Sequence, residues 1–282
     1  MKNQHTKILF VLLSTVLLIA FTNKKKTTTP AAAATPIKDK HWRFEKKPVW
    51  QDDFSSGKID PAKWTFETGG SGWGNNELQY YTDGPNSVVK DGNLVITAKK
   101  EKFSTNDYTS SRMVTKGKGD WLYGRFEVRA KLPKGKGTWP AIWMLSSDDS
   151  YGGWPASGEI DIMEHVGFDQ DNIHSTVHTS AYNHMKGTQK TATKIVTGAS
   201  DDFHVYRIDW TPYAIRGFID NSQYFEFVNE GNAFESWPFN KRFHLILNVA
   251  VGGNWGGAKG VDSDAFPTSM VVDYVKVYKM IE

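Results

Sequence analysis

From about Pro48 onward the chain reads as one short extended segment after another, and no long stretch keeps a 3.6-residue apolar period. Residues 124–132 show the pattern best. Arg125, Glu127, Arg129 and Lys131 alternate with Phe126, Val128, Ala130 and Leu132, which is a strand with one wet face and one dry face. Similar segments rich in β-branched and aromatic residues occur at 94–99, 142–145, 159–165, 175–180, 204–210, 215–219, 244–251 and 271–278. Turn signals separate them, among them Asp83-Gly-Pro85, Asp91-Gly92, Pro133-Lys-Gly135, Asp220-Asn221 and Gly252-Gly253. This spacing predicts an all-β fold, an antiparallel β-sandwich of the jelly-roll kind, in one domain over residues 48–282.

Charge divides the chain at the same point. The formal charge of +3 hides ten Lys/Arg against Asp39 and Glu45 in residues 1–47, leaving 24 basic and 29 acidic groups beyond. A mildly acidic domain argues against a nucleic-acid partner. Lys2 and Lys7 precede an apolar run at residues 8–21 that is short for a membrane span, so residues 1–22 read as an export signal or, failing cleavage, a membrane anchor. Residues 23–47, rich in Thr, Ala, Pro and Lys, read as a flexible linker. A secreted or cell-surface monomer is expected; the lack of Cys leaves it without disulfides.

The segment Gly158-Glu-Ile-Asp-Ile-Met-Glu-His165 carries the chemistry. On a regular strand Glu159 and Asp161 share a face, while Glu164, five residues from Glu159, points into the core. A buried unpaired carboxylate is expensive. One extra residue around Met163, as a β-bulge, returns Glu164 to its partners and leaves Ile160 and Ile162 on the dry side. Two carboxyls about 5–5.5 Å apart suit retaining glycoside hydrolysis, one attacking the anomeric carbon and one protonating the leaving oxygen. A zinc site built from Glu164, His165, His174 and His178 is the rival reading. It lacks the helical i, i+4 pair of zinc hydrolases, so no cofactor is expected for catalysis.

Around that strand the residues resemble a known family. Glu159-Ile-Asp-Ile-Met-Glu164 is similar to the signature of glycoside hydrolase family 16, in the branch with an extra residue before the second Glu. The stretches 72–81 (GWGNNELQYY), 138–144 (TWPAIWM), 176–184 (TVHTSAYNH), 252–257 (GGNWGG) and 272–278 (VDYVKVY) look like its laminarinase group. The resemblance implies a jelly roll with an open concave cleft, Glu159 as nucleophile, Glu164 as acid/base and Asp161 supporting the nucleophile. The substrate it implies is a β-1,3-glucan such as laminarin. Rival substrates are mixed-linkage glucan, agarose or carrageenan, and a non-catalytic glycan-binding module is the reading from another class.

Trp139 and Trp143 lie four apart on one strand-like segment, and Trp255 sits among glycines, so all three are expected as sugar platforms. Asn76, Arg112 and His178 are expected to bind sugar hydroxyls. The resemblance also implies one structural Ca2+ on the convex side, held by Asp273 with the carbonyls of Asp53 and Gly92, an oxygen-only site that suits this ion.

Overall fold

The structure is a computed structural model that describes residues 37–282 except residue 232. The expected export signal or anchor at 1–22, and the linker as far as residue 36, lie outside the described residues. Among the described residues no helix is long and apolar enough to cross a membrane.

Alternation is what builds the architecture. Gly124–Lys131 buries every second residue, as the sequence pattern requires, and its dry side faces the core. Among the described residues two eight-stranded sheets form the sandwich. One runs Ser222–Val228, Ala214–Ile219, His204–Trp210, Gly124–Lys131, Thr268–Tyr278, Asn93–Ala98, Ser87–Lys90, with Trp50–Asp52 added beside Thr268–Tyr278. The other runs Lys190–Ile195, Asn172–His178, Glu159–Glu164, Thr138–Ser146, Phe243–Val251, Arg112–Val114, Thr65–Phe66, with Asp120–Trp121 beside Phe243–Val251. All of these pairings are antiparallel.

Between the sheets, Leu94, Ile96, Phe126, Val128, Tyr206 and Ile208 meet Ile142, Met144, Ile160, Leu245 and Leu247 in one continuous core. Phe243–Val251 is buried at every position, which marks it as an interior strand of its sheet. Among the described residues helix is confined to two single 3-10 turns, His184–Lys186 and Ser263–Ala265.

The domain begins earlier than Pro48. Arg43–Phe44 pairs with Met280–Ile281, and Asp39 forms an ion pair with Arg216 at 2.8 Å. The Phe44 ring lies under the Arg125 guanidinium, 4.8 Å from its centroid. Residues 39–44 of the expected linker therefore pack against the sandwich. Their composition suggests a spacer, whereas their contacts are made with residues remote in sequence.

Candidate active site

Gly158 sets the start of the carboxylate strand. Its φ of +86° lies in the left-handed region, and a Cβ there would meet Pro238, Phe239 and Phe243 at 2.7–3.1 Å. From this anchor Glu159–Glu164 pairs with Thr138–Ser146 on one side and Asn172–His178 on the other. The expected bulge is present. Asp161 faces Thr176 and Glu164 faces His174, so three steps on one strand span two on its neighbour. Against Thr138–Ser146, Met163 pairs with Ile142 and Asp161 with Trp143, which makes Ile162 the extra residue. Ile160, Ile162 and Met163 all enter the core, and Glu159, Asp161 and Glu164 all line one cavity of about 350 Å³.

The three acids have different partners. Trp154 Nε1 donates to Glu159 Oε2 at 2.7 Å, and Trp139 Nε1 donates to Glu164 Oε1 at 3.0 Å. One oxygen each of Glu159 and Asp161 and a ring nitrogen of His178 lie within 4.8 Å of one another. His178 Nε2 is 3.5 Å from Asp161 Oδ2 and 3.7 Å from Glu159 Oε1. Burial, then the nearby His184, lowers the His178 pKa to about 4, so this imidazole is neutral near pH 7.

Burial also governs the carboxyls, because three buried acids side by side cannot all be charged. Asp161 is raised well above the ordinary range, by desolvation first and then by the charges of Glu159 and Glu164. Glu159 is raised by burial and by Glu164, but the Trp154 donor, the Arg112 charge and the hydrogen bond with Asp161 oppose the rise. Nothing comparable stabilises a charge on Asp161. Of that pair, Asp161 therefore holds its proton the more tightly. Burial raises Glu164 to about 7, with the Trp139 indole opposing, so it holds its proton in mildly acidic solution. One ionised and one protonated carboxyl on the same face can perform nucleophilic attack and proton donation in a single step.

The cavity walls are aromatic and hydrogen-bonded. Trp143 Nε1 donates to Asn248 Oδ1, Asn248 Nδ2 donates to the Tyr81 hydroxyl, and that hydroxyl donates to Glu77 Oε2. Gln79 and Asn75 also donate to Glu77, offsetting the burial that raises its pKa. Arg112 lies between the Trp73 and Trp143 rings, at 4.9 and 4.7 Å from their centroids, and pairs with Glu67 through Nε at 2.5 Å. Arg112, Trp139 and Trp143 thus line the cavity as expected from the sequence.

Three expected ligands sit elsewhere. Asn76 turns away and donates to Asn254 Oδ1 at 2.8 Å, tying two loops together, while its neighbour Asn75 lines the cavity. Trp255 stands behind Trp139, edge to face at 5.5 Å, and against His174 at 4.9 Å. A Cβ on Gly256 would lie 2.8 Å from Trp139 Cβ, so the glycines there admit the Trp139 side chain rather than a ligand. His178 touches the acids from behind the cavity lining.

Trp73, Glu77, Trp154, His184 and Asn248 line the cavity without having been singled out. Asn248 had a readable signal as the polar residue in the apolar run Leu245–Ala250.

On the opposite sheet, Asp273 is the extra residue of a bulge facing Arg129 and Ala130. Asn93–Ala98 and Trp50–Asp52 pair with successive parts of the same edge of Thr268–Tyr278, so Gly92 and Asp53 both approach residues 273–274. This register suits an oxygen-only cation site. The Asp273 carboxylate also accepts from Arg129 Nη1, and a cation would share it with that guanidinium.

Known proteins resemble this chain in sequence and fold. The model of Glycosyl hydrolases family 16 matches residues 73–276. A Beta-glucanase of Rhodothermus marinus is 54% identical over 255 residues, covering 87% of this chain and 88% of that protein. A Glucan endo-1,3-beta-glucosidase of Cryptopygus antarcticus is 41% identical over 245 residues, covering 80% and 90%. The X-ray structure of the laminarinase from Rhodothermus marinus superposes with a TM-score of 0.83 at 53% identity, covering 86% of this chain and 99% of that one. A glycosidase site on a jelly roll and a family match across most of the sandwich agree: this chain belongs to Glycosyl hydrolases family 16.

Proposed function

We propose that the protein is an endo-acting β-1,3-glucanase that cleaves with retention of configuration. Glu159 attacks the anomeric carbon, Glu164 protonates the leaving oxygen and then deprotonates the incoming water, and Asp161 holds the proton that keeps Glu159 ionised. The observation that carries this reading is the bulge at Ile162, which sets the three acids on one face beside two indole donors. The lining favours a neutral polymer over a sulfated one, because its Arg112 is already paired with Glu67 while four carboxyls face the cavity. The names of the relatives support the β-1,3 linkage.

Export to the cell exterior or surface belongs to the same reading, since the substrate is a polymer. So does a structural Ca2+, which Asp273 and the carbonyls of Asp53 and Gly92 would hold and which would lock three strand ends together. Chelation should then lower the melting temperature while leaving early rates intact.

The decisive test is hydrolysis of laminarin followed by proton NMR in the first minutes. The β-anomer should appear first, and Glu159→Gln should remove turnover while oligosaccharide binding persists. An initial α-anomer, or a Glu159→Gln variant keeping more than about 1% of kcat, overturns the assignment. Lichenan and agarose in the same assay report the linkage preference.

A further inference from the structure

A second cavity, of about 380 Å³, opens between the loop at residues 147–158 and the loop at residues 229–242, and none of its lining residues lines the catalytic cleft. Its size falls in the lower part of the range of small-ligand pockets, roughly 300–1,000 Å³. Tyr151 and Phe234 stack at 4.7 Å with their planes 4° apart, and Phe234 remains 37% exposed, so a flat apolar face is presented to solvent. Tyr123 and Trp237 complete an aromatic wall.

The polar groups are of one kind. Asn240 accepts from the Tyr151 hydroxyl through Oδ1 at 2.8 Å, and Asn229 is committed to Pro212 O and Gly231 N, so amides brace the rim. Among the described residues no acid or base is part of the cavity lining, and Lys241 Nζ lies over the Tyr151 ring at its edge, 5.5 Å from the ring centroid. Trp237 is 4% exposed, and its Nε1 has no hydrogen-bond partner among the described residues. A buried indole N–H without an acceptor is uncommon, because such donors are ordinarily satisfied.

We propose that this cavity is a second carbohydrate site, which takes one neutral sugar ring of a polysaccharide outside the catalytic cleft. The exposed Phe234 face receives the C–H side of a pyranose, and the Asn240 amide at the rim suits its hydroxyls. The stem of the loop links the two sites. Tyr151 and Trp154 lie on one turn closed by Ser157, which accepts from Tyr151 N and donates to Gly152 O. Trp154 reaches Glu159 while Tyr151 reaches the second cavity. The ligand class is that of the proposed substrate, and to this extent the inference rests on that reading.

The test is adsorption of the full chain, in the Glu159→Gln background, to insoluble β-1,3-glucan, cellulose and agarose, comparing the parent with added Phe234→Ala and Asn240→Ala. Phe234 is partly exposed and Asn240 is at the surface, so both variants should keep the parent melting temperature. Cleft binding is common to all three proteins, so the difference between them reports the second site. Each added substitution should weaken adsorption to at least one polysaccharide three- to tenfold. In a Glu159 background, kcat/KM on a short soluble laminarioligosaccharide should be unchanged. Equal adsorption on every polysaccharide, or a parent that adsorbs to none, overturns the proposal. If loss of adsorption is seen on cellulose or agarose while laminarin is not hydrolysed, the β-1,3 reading fails and the second site stands.

Discussion

Trp139 connects the expected chemistry to single atoms. Its indole donates to Glu164, and that bond is what opposes the rise of the Glu164 pKa. Trp139→Phe keeps a ring in the cavity wall and removes the donor. The Glu164 pKa should rise above about 7, so the basic limb of the kcat/KM profile should move to higher pH by up to about one unit. A limb that stays in place would show that Trp139 does not bear on the proton donor. Trp255 acts one step further back. Because it supports the Trp139 ring and does not line the cavity, Trp255→Ala should lower stability by about 1–2 kcal/mol and raise KM together. Measuring Tm and KM on one preparation checks this; a raised KM at unchanged Tm would return Trp255 to the cleft surface.

At the scale of the strand, the bulge is the device that turns an alternating segment into a catalytic face. Deleting Ile162 removes the extra residue and leaves Glu159, Asp161 and Glu164 at alternate positions of a regular strand. The three acids then keep one face, and the variant should fold and retain acid/base function, with activity lowered by the changed spacing. A folded deletion variant that has lost the acid/base limb of its pH profile contradicts this. This element was legible in the sequence because period 2 leaves Glu164 stranded, a conflict with few physical remedies. The register was displaced by one residue, since Ile162 and Met163 are both apolar and either can be the extra one. Strand 124–131 was legible from a clean alternation over its whole length, and strand 204–210 from its β-branched and aromatic content. Lys190–Ile195 was not, because an edge strand of Lys, Thr and Ala buries little and shows no dry face. The contacts of Asn76 and Trp255 were not legible, because loop geometry, not strand period, aims their side chains. Glycine beside Trp255 was read as room for a ligand, and the room is filled by Trp139.

Across the whole molecule, the site works against the fold that carries it. Three buried carboxyls hold protons more tightly than they would in an unfolded chain, where a glutamic acid releases its proton near 4.5. For Glu164 the folded value is about 7. The sign follows directly: between these values the folded state binds more protons than the unfolded one, so stability is greatest below about 4.5 and falls as pH rises to about 7. The lost stability is roughly 1–3 kcal/mol, shared among acids that titrate as a unit. Glu164→Gln keeps the shape of the side chain and an oxygen for the Trp139 donor, while it removes the charge that also raises Glu159. The variant should therefore melt several degrees above wild type at pH 8, at about 2–4 °C per kcal/mol for a domain of this size. At pH 5, where Glu164 is protonated in the folded protein, the two should melt close together. Thermal unfolding of both proteins across pH 5–8 measures the gap. A gap that stays constant with pH would mean that packing, not the charge of the catalytic acid, sets the difference.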